Sequence, residues 1–304
     1  MAHTPRFGRL LTAMVTPFKE DGSLDLPRAA ELAQKLLSEG NDGLIINGTT
    51  GESPTISRDE RCALFEAVID AVGPDVPLIA NVGDNCTEDS VLFAQRVTAL
   101  KGGRLNGIMV VTPYFNKPPQ EGIYQHMRQV AEVIDVPVTV YNIPGRCVVN
   151  IEPETIIRLV NDVPNIRGLK QANDDMAQTD LIWENTPDDL EIFAGDDCLT
   201  LDILKRGGTG VISTIGNIAG PAMHRMIEAY LAGDHDLAYA IDKALRPLQT
   251  QLFVTANPIL VKRALALLDF PCGPVRLPLV NATEQQSDEL LAVMNDTFRR
   301  LDEL

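Results

Sequence analysis

The sequence has few cysteines, no long apolar run and a shortage of positive charge. Its 304 residues include five cysteines, which are odd in number, widely scattered and without a C-x-x-C pair. A disulfide framework or a zinc site is therefore not expected, and we predict free thiols. No run of about 18 apolar residues occurs, which argues against a membrane-spanning helix.

Acidic residues outnumber basic ones. The chain has 26 Lys and Arg against 42 Asp and Glu, and its formal net charge is −16. Because nucleic-acid binding requires positive charge, we expect no nucleic-acid partner. A site for a small anionic substrate would need a local positive potential from backbone N–H groups or placed cations. The first residues lack a signal-peptide pattern, so we expect a cytoplasmic protein without a membrane partner.

The histidines give no sign of a metal centre. His3, His126, His224 and His235 lack the spacing of metal ligands, and we predict that they lie on the surface. No metal and no other cofactor is predicted.

Short apolar runs alternate with helical patterns over the first two thirds of the chain. Helical periodicity marks residues 26–39 and 57–72, and Ser57 and Glu60 form a capping box at the start of the second segment. Strands that alternate with helices pair in parallel through right-handed crossovers, and eight such units favour a closed barrel. The predicted fold class is therefore α/β, a (β/α)8 TIM barrel. The eight predicted strands are residues 10–15, 43–47, 77–81, 107–111, 137–141, 166–170, 190–194 and 210–213.

The last part of the chain exceeds what a barrel needs. The eighth barrel helix is predicted at residues 221–231. A C-terminal three-helix appendage follows, with helices at residues 235–255, 258–268 and 284–304. We predict a catalytic barrel domain at residues 1–232 and a helical domain at residues 233–304.

One predicted strand, residues 166–170, ends on Lys170. Lysine is rarely buried unless it is paired or chemically employed. A dry pocket would lower the pKa of this amine and let it attack a ketone. A strand-end lysine that reaches solvent is the alternative that the residues alone leave open.

Other polar residues follow the predicted strands at the carboxyl ends, where barrel active sites form. The GTTGES turn at residues 48–53 offers hydroxyls and N–H groups that suit a carboxylate. Tyr141 can share protons with an amine, and Arg146 can pair with a second carboxylate. A tight turn, a barrel-rim tyrosine and a solvated arginine are the structural alternatives. We predict that Asp196 and Asp197 cap a helix at residues 199–206.

Four motifs follow one another along the chain: GTTGES at 48–53, YNIPGR at 141–146, GLK at 168–170 and GDD at 195–197. Together they resemble the dihydrodipicolinate synthase and N-acetylneuraminate lyase family of pyruvate-dependent Schiff-base aldolases. The likeness covers essentially the whole chain. The double threonine in the first motif and the arginine that ends the second favour the first branch of the family over the sialic acid lyases.

The resemblance implies a reaction. Lys170 would condense with the ketone of pyruvate, and the resulting enamine would attack the aldehyde of aspartate semialdehyde, a step toward lysine and diaminopimelate. Tyr141 would move protons. A related aldolase or lyase acting on a sugar-derived keto acid is one alternative, and a non-catalytic pyruvate-binding regulator is another.

The resemblance also implies binding roles for five positions. Thr49 and Thr50 would hold the pyruvate carboxylate, and Arg146 would fix the carboxylate of the second substrate. Gly195 and Ile212 would complete the pocket through their backbones.

One position departs from the family pattern. In the family, the hydroxyl that matches Thr49 links the residue that matches Tyr141 to a tyrosine of the neighbouring subunit, which implies a dimer at least and commonly a tetramer. We therefore expect a homotetramer, a dimer of dimers. Phe115 stands at the position of that second tyrosine and cannot carry a proton. Gln171 likewise replaces the glutamate that commonly follows the lysine.

A second departure leads to a prediction about regulation. Lysine-inhibited family members use interface positions that match Ser53, Pro54, Arg58, Arg61, Asn85, Asp89 and Tyr114. Arg58 and Arg61 replace the usual histidines, and two fixed positive charges oppose a lysine cation. We therefore expect weak or absent inhibition by lysine in a titration of enzyme activity. A sub-millimolar inhibition midpoint would contradict this prediction.

Overall fold

The computed structural model describes residues 4–304 and contains eight strands that close into a parallel barrel in the order of the sequence. The predicted TIM barrel is confirmed. The strands are β1 (Leu10–Ala13), β2 (Gly43–Ile46), β3 (Leu78–Asn81), β4 (Gly107–Val111), β5 (Val138–Asn142), β6 (Ile166–Gln171), β7 (Glu191–Ala194) and β8 (Gly210–Ser213).

Helices occupy the segments between and after the strands. In the described residues they are α1 (Leu26–Ser38), α2 (Arg58–Ala71), α3 (Thr87–Thr98), α4 (Gln120–Ala131), α5 (Pro144–Cys147), α6 (Pro153–Asp162), α7 (Met176–Glu184), α8 (Thr200–Lys205), α9 (Gly216–Leu231), α10 (His235–Gln251), α11 (Ile259–Leu267) and α12 (Glu284–Asp302). Short 3-10 turns lie at Ser53–Thr55, Leu100–Gly102 and Asp197–Leu199.

The strands are buried along nearly their whole length. β2 and β5 read GLII and VTVYN, and every residue of both is buried. Parallel strands that are covered on both faces read as continuous apolar runs, which is why the apolar runs located them. The predicted strand ends agree with the observed ends to within two residues.

Helix starts follow their capping residues. Asp25 accepts a hydrogen bond from the Arg28 N–H at 3.1 Å at the start of α1. At the start of α2, the Ser57 hydroxyl accepts from the Glu60 N–H and the Glu60 carboxylate accepts from the Ser57 N–H. The predicted capping box is confirmed.

One compact unit of the chain comprises Pro77–Ile212 and the residues that lead to Arg9. Within it the pairings from β3 to β8 are all parallel. Its core is formed by strand residues such as Val110, Val140 and Leu169, each at most 1% exposed.

The other compact unit comprises Leu10–Val76 and Ser213–Leu304. Within it β1 pairs with β2, α9 packs on β1, and α10 packs against α9 and α12. The three predicted C-terminal helices are present as α10, α11 and α12. The predicted domain boundary between residues 232 and 233 stays a prediction.

The predicted start of the eighth barrel helix is wrong. The predicted start is residue 221, but α9 begins at Gly216. Pro221 lies inside the helix, two residues after Ala219, whose φ of −137° and ψ of 36° interrupt the helical geometry. The prediction therefore found only the segment that follows this kink.

The predicted surface position of His126 is also wrong. Its side chain is 3% exposed on α4, and Nδ1 lies 3.0 Å from the Thr87 hydroxyl oxygen. Burial lowers the pKa of His126 to about 4, so the ring is neutral near pH 7. His224 is half-buried, His235 is exposed, and His3 lies outside the described residues.

The predicted free thiols are confirmed for all five cysteines, of which Cys62, Cys147 and Cys272 are buried. Within residues 4–304, the helices are all too short or too polar to cross a membrane.

A buried ion pair anchors the turn that follows β2. Lys262 Nζ on α11 lies 2.7 Å from Glu52 Oε1, and the two side chains are 3% and 0% exposed. The Arg276 N–H donates to Glu52 Oε2 at 2.9 Å, and Lys262 donates to the Pro274 carbonyl at 2.8 Å. Glu52 has a left-handed φ of 57°, which these contacts hold in place.

This pair yields a prediction about stability. Replacing Lys262 with Met leaves the Glu52 carboxylate buried without a counter-charge. We expect the free energy of unfolding, measured by urea titration, to fall by about 3–5 kcal/mol.

The matched control is Arg128→Met on α4, which breaks an ion pair with Glu132 whose side chains are 44% and 50% exposed. We expect this change to cost less than about 1 kcal/mol. Equal losses from the two variants would contradict the importance of the buried pair.

Candidate active site

Lys170 is buried at the carboxyl end of β6. Its side chain is 5% exposed, and Tyr141 on β5 is its register partner. The Lys170 Nζ lies 4.3 Å from the centre of the Tyr141 ring, a distance typical of a cation–π contact. The strand continues to Gln171, one residue beyond its predicted end. The alternative of a lysine that reaches solvent is therefore wrong.

The surroundings of Lys170 favour the neutral amine. Burial lowers its pKa to about 8; Asp197 opposes this shift, Arg146 adds to it, and Asp196 opposes it. At pH 7 such a pKa leaves roughly a tenth of the amine neutral, against about one molecule in 3,000 at the ordinary value. Since only the neutral amine attacks a carbonyl, burial increases the fraction of Lys170 that is able to act as a nucleophile.

Two glycines allow the strands near Lys170 to approach closely. A Cβ on Gly168 would lie 2.5 Å from the Thr139 hydroxyl oxygen on β5, and one on Gly195 would lie 2.7 Å from the Ala172 Cβ. The Gly195 N–H donates to the Gln171 carbonyl at 2.7 Å. Any larger residue at position 195 would move the backbone that follows β7 away from the end of β6.

The other predicted site residues of the unit that contains Pro77–Ile212 lie on an exposed short helix, in a buried strand and in a turn. Arg146 is exposed on the short helix α5, where its guanidinium is open to a soluble ligand. Ile212 is 1% exposed in β8. Asp196 accepts a hydrogen bond from the Cys198 N–H at 2.9 Å and caps the 3-10 turn Asp197–Leu199, in which Asp197 is 3% exposed. The helix α8 begins at Thr200 without a side-chain cap, so the predicted capping holds for the turn before the helix and not for the helix itself.

Phe115 projects from the loop after β4. It is 88% exposed and has a left-handed φ of 75°. The loop is held from the segment after β3: the Tyr114 hydroxyl donates to Asp84 Oδ1 at 3.4 Å, and the Asn116 side chain donates to the Asn85 carbonyl at 2.8 Å.

A network of side-chain amides lies at the ends of β5 and β6, and sequence reasoning missed it. Asn142 Nδ2 donates to Gln171 Oε1 and to Asn150 Oδ1, each at 2.9 Å. Asn150 Nδ2 donates to Gln178 Oε1 at 2.9 Å, and Asn173 Nδ2 donates to Asn150 Oδ1 at 3.0 Å. The side-chain amides of this network are neutral and meet a carboxylate at Asp175, which accepts from Gln178 Nε2 at 3.0 Å, so Gln171 itself places no carboxylate behind Lys170. The run of Asn and Gln after β5 and β6 is the signal that could have found it.

The GTTGES turn belongs to the other compact unit and is tightly built. Asn47 has a left-handed φ of 61°, a conformation that asparagine tolerates. A Cβ on Gly51 would lie 3.0 Å from the Asn47 Cα. Thr49 is half-buried, and Thr50 is 3% exposed with its hydroxyl oxygen accepting from Asn257 Nδ2 at 2.9 Å.

The contact of Asn257 with this turn was missed by sequence reasoning. A lone polar side chain beside Pro258 and the apolar start of α11 was its only signal in the sequence.

In the part of the chain that the structure describes, residues 4–304, no cluster of three His, Cys, Asp or Glu side chains is placed to hold a metal ion.

The barrel and the buried amine at the end of β6 define a class of protein, a TIM-barrel enzyme suited to carbonyl chemistry. The Dihydrodipicolinate synthetase family profile matches residues 6–297. The chain belongs to this family.

Similar proteins cover nearly the whole chain. The 4-hydroxy-tetrahydrodipicolinate synthase of Symbiobacterium thermophilum is 49% identical over 290 residues, which are 95% of this chain and 98% of that protein. The enzyme of the same name from Bacillus subtilis is 43% identical over 290 residues, 95% of this chain and 99% of that protein. The crystal structure of the synthase from Cyanidioschyzon merolae with lysine bound has a TM-score of 0.93 and 41% identity, covering 96% of this chain and 99% of that one.

The lowered pKa of Lys170 predicts how imine formation depends on pH. Because the neutral amine is the nucleophile, the initial rate with pyruvate should rise with pH and reach half its maximum near the pKa of about 8. Borohydride quenching at short times, followed by mass measurement, gives this rate. Lys170→Arg should form no adduct at any pH. A midpoint above about pH 10 would indicate an ordinary solvated lysine.

Proposed function

We propose that this chain is a lyase that condenses pyruvate with L-aspartate 4-semialdehyde to 4-hydroxy-tetrahydrodipicolinate through a Schiff base, in lysine and diaminopimelate biosynthesis. The observation that carries the proposal is the desolvated amine of Lys170, with its pKa of about 8, in a chain that is 49% identical to an enzyme of this name.

The reaction begins at Lys170. Its neutral amine adds to the ketone carbon of pyruvate, and loss of water gives a protonated imine. This cation draws electrons from the methyl group, which loses a proton to become an enamine. The enamine carbon bonds to the aldehyde carbon of the semialdehyde, whose oxygen takes up a proton. The amine of the second substrate then displaces Lys170 from the imine carbon, which closes the ring and frees the lysine.

Proton transfers in these steps are assigned to Tyr141. The centre of its ring lies 4.3 Å from the Lys170 amine and Tyr141 is 4% exposed, which supports Tyr141 as the phenol that serves the reacting nitrogen. A buried general acid of this kind is protected from exchange with bulk solvent. Thr49 is assigned to the same proton path through its hydroxyl group.

Substrate binding is assigned to groups that donate hydrogen bonds. Thr49 and Thr50 would hold the pyruvate carboxylate, which in a chain of net charge −16 needs local donors. Arg146 would pair with the carboxylate of the second substrate, a role supported by its exposure and its fixed charge. The backbones of Gly195 and Ile212 would complete the pocket.

The proposal includes a homotetramer, arranged as a dimer of dimers, and a cytoplasmic location. The exposed Phe115, held in a left-handed conformation on a fixed loop, supports a contact with a second copy of the chain. Pyruvate and aspartate semialdehyde are the proposed small-molecule partners, and neither a membrane nor a nucleic acid is included.

The test of this function is trapping followed by turnover. Borohydride reduction with pyruvate should add one pyruvate-derived group to the wild-type protein, and peptide mapping should place it on Lys170. In a separate assay, protein that has not been treated with borohydride should consume pyruvate with aspartate semialdehyde and fail to do so with hexose-derived aldehydes. In the same assay, Phe115→Tyr should raise turnover if the missing hydroxyl limits proton transfer.

Each outcome decides between the proposed functions. A protein that forms no adduct at Lys170 is not an aldolase of this type. An adduct with turnover of the sugar-derived aldehydes alone would overturn the choice of second substrate, and an adduct without any turnover would indicate a pyruvate-binding regulator.

A further inference from the structure

The hydroxyl of Thr50 is held by a residue 207 positions away in the sequence. Asn257 Nδ2 donates to Thr50 Oγ1 at 2.9 Å, and both side chains are buried, at 6% and 3% exposed. Asn257 lies just before α11, in the C-terminal segment of the same compact unit.

The polarity of this bond determines what the hydroxyl can still do. A threonine hydroxyl has one hydrogen and two acceptor lone pairs. Because the Asn257 amide donates to Oγ1, the hydrogen of Thr50 remains available for another acceptor. A carboxylate can only accept hydrogen bonds. Because Asn257 donates to the Thr50 oxygen, the Thr50 hydroxyl is left as a donor, which is what binding a carboxylate requires.

The backbone of the turn has separate support. Glu52 is held by Lys262 and by the N–H of Arg276, as described above. These contacts hold the chain direction of the turn after Gly51, and they do not involve the Thr50 hydroxyl. A change at Asn257 therefore alters the orientation of one hydroxyl group while the turn keeps its ion pair.

The burial of Asn257 has an energetic cost that packing does not explain. Its Oδ1 atom is buried, and within residues 4–304 it has no hydrogen-bond partner. An unsatisfied buried polar atom destabilises the folded state, a penalty that an apolar side chain at this position would avoid. The hydrogen bond to Thr50 is the contact of the described residues that accounts for a polar side chain at this buried position.

We infer that Asn257 is a positioning residue for pyruvate: it holds the Thr50 hydroxyl as a hydrogen-bond donor toward the substrate carboxylate. The inference rests on the proposed function, and it adds a residue of the C-terminal helical segment to the substrate-binding machinery of a barrel enzyme. Asn257 acts through Thr50 and does not touch the reacting atoms.

The test compares two substitutions of Asn257: aspartate keeps the size of the side chain and removes its donor, and alanine removes the polar group altogether. Asn257→Asp can only accept, so it would take the Thr50 hydrogen and place a negative charge beside the carboxylate. We expect the pyruvate concentration that half-saturates the borohydride-trapped adduct to rise about tenfold or more, and about threefold to tenfold for Asn257→Ala. The adduct at saturating pyruvate should still form at a rate within about threefold of wild type.

A double-mutant cycle separates positioning from a general structural effect. Thr50→Val removes the hydroxyl, so adding Asn257→Ala to it should cause no further rise in half-saturating pyruvate. If Asn257 only supported the fold, its effect would persist in the Thr50→Val background and would follow the loss of unfolding free energy. Thr255→Ala, on the same segment and outside the proposed site, is the matched control and should bind pyruvate as wild type does.

The outcomes keep this inference separate from the proposed function. If the wild-type protein forms no pyruvate adduct, the proposed function fails. If wild type forms the adduct and Asn257→Asp binds pyruvate with unchanged half-saturation, the proposed function stands and the positioning role of Asn257 is wrong. Additive effects in the cycle would overturn the positioning role in the same way.

Discussion

The desolvation of one amine is the constraint on which the rest of the structure depends. A protonated lysine is strongly hydrated, and a site that excludes water favours its neutral form. β6 delivers Lys170 to such a site with its side chain 5% exposed, and the glycines at positions 168 and 195 let the neighbouring backbones close around it. The pKa of about 8 expresses a balance, because Asp197 favours the charged amine and burial opposes it. Removing the negative charge of Asp197 would lower the pKa of Lys170 further, because that charge favours the protonated amine. A pocket more open to water would raise the pKa, because the charged amine would be better hydrated.

The second constraint is the rigidity of the threonine turn. A turn with left-handed residues at Asn47 and Glu52 is strained in isolation, and strained backbones persist only where their surroundings over-determine them. Here the C-terminal segment supplies that support through charge at Lys262 and through a neutral amide at Asn257. The two contacts act on different groups: the Lys262–Glu52 ion pair holds the backbone of the turn, and the Asn257 amide bonds to the Thr50 hydroxyl. The appendage therefore contributes more than extra apolar surface, since two of its polar residues reach the turn directly.

Sequence patterns predicted the barrel because parallel strands buried on both faces leave continuous apolar runs, and because helices between them keep a regular period. They also singled out Lys170, since an ionisable residue at the end of an apolar run is chemically conspicuous. They failed where a contact joins residues that are distant in sequence. Nothing local to Asn257 indicates Thr50 as its partner, and nothing local to His126 shows that α3 will cover it. The kink at Ala219 escaped for another reason, because a proline inside a helix looks like a proline that begins one.

The anchoring of the turn by Asn257, Lys262 and Arg276 has a consequence for how the protein is made. Synthesis runs from the amino terminus, and domains of a growing chain can begin to fold before the chain is finished. A nascent chain that has just released β8 from the ribosome contains all eight strands and the lysine, yet it lacks every one of these three anchoring residues. Its barrel strands are complete while its threonine turn is still unsupported. The support of this turn is thus one of the last features that the chain acquires, separated in time from the synthesis of its strands.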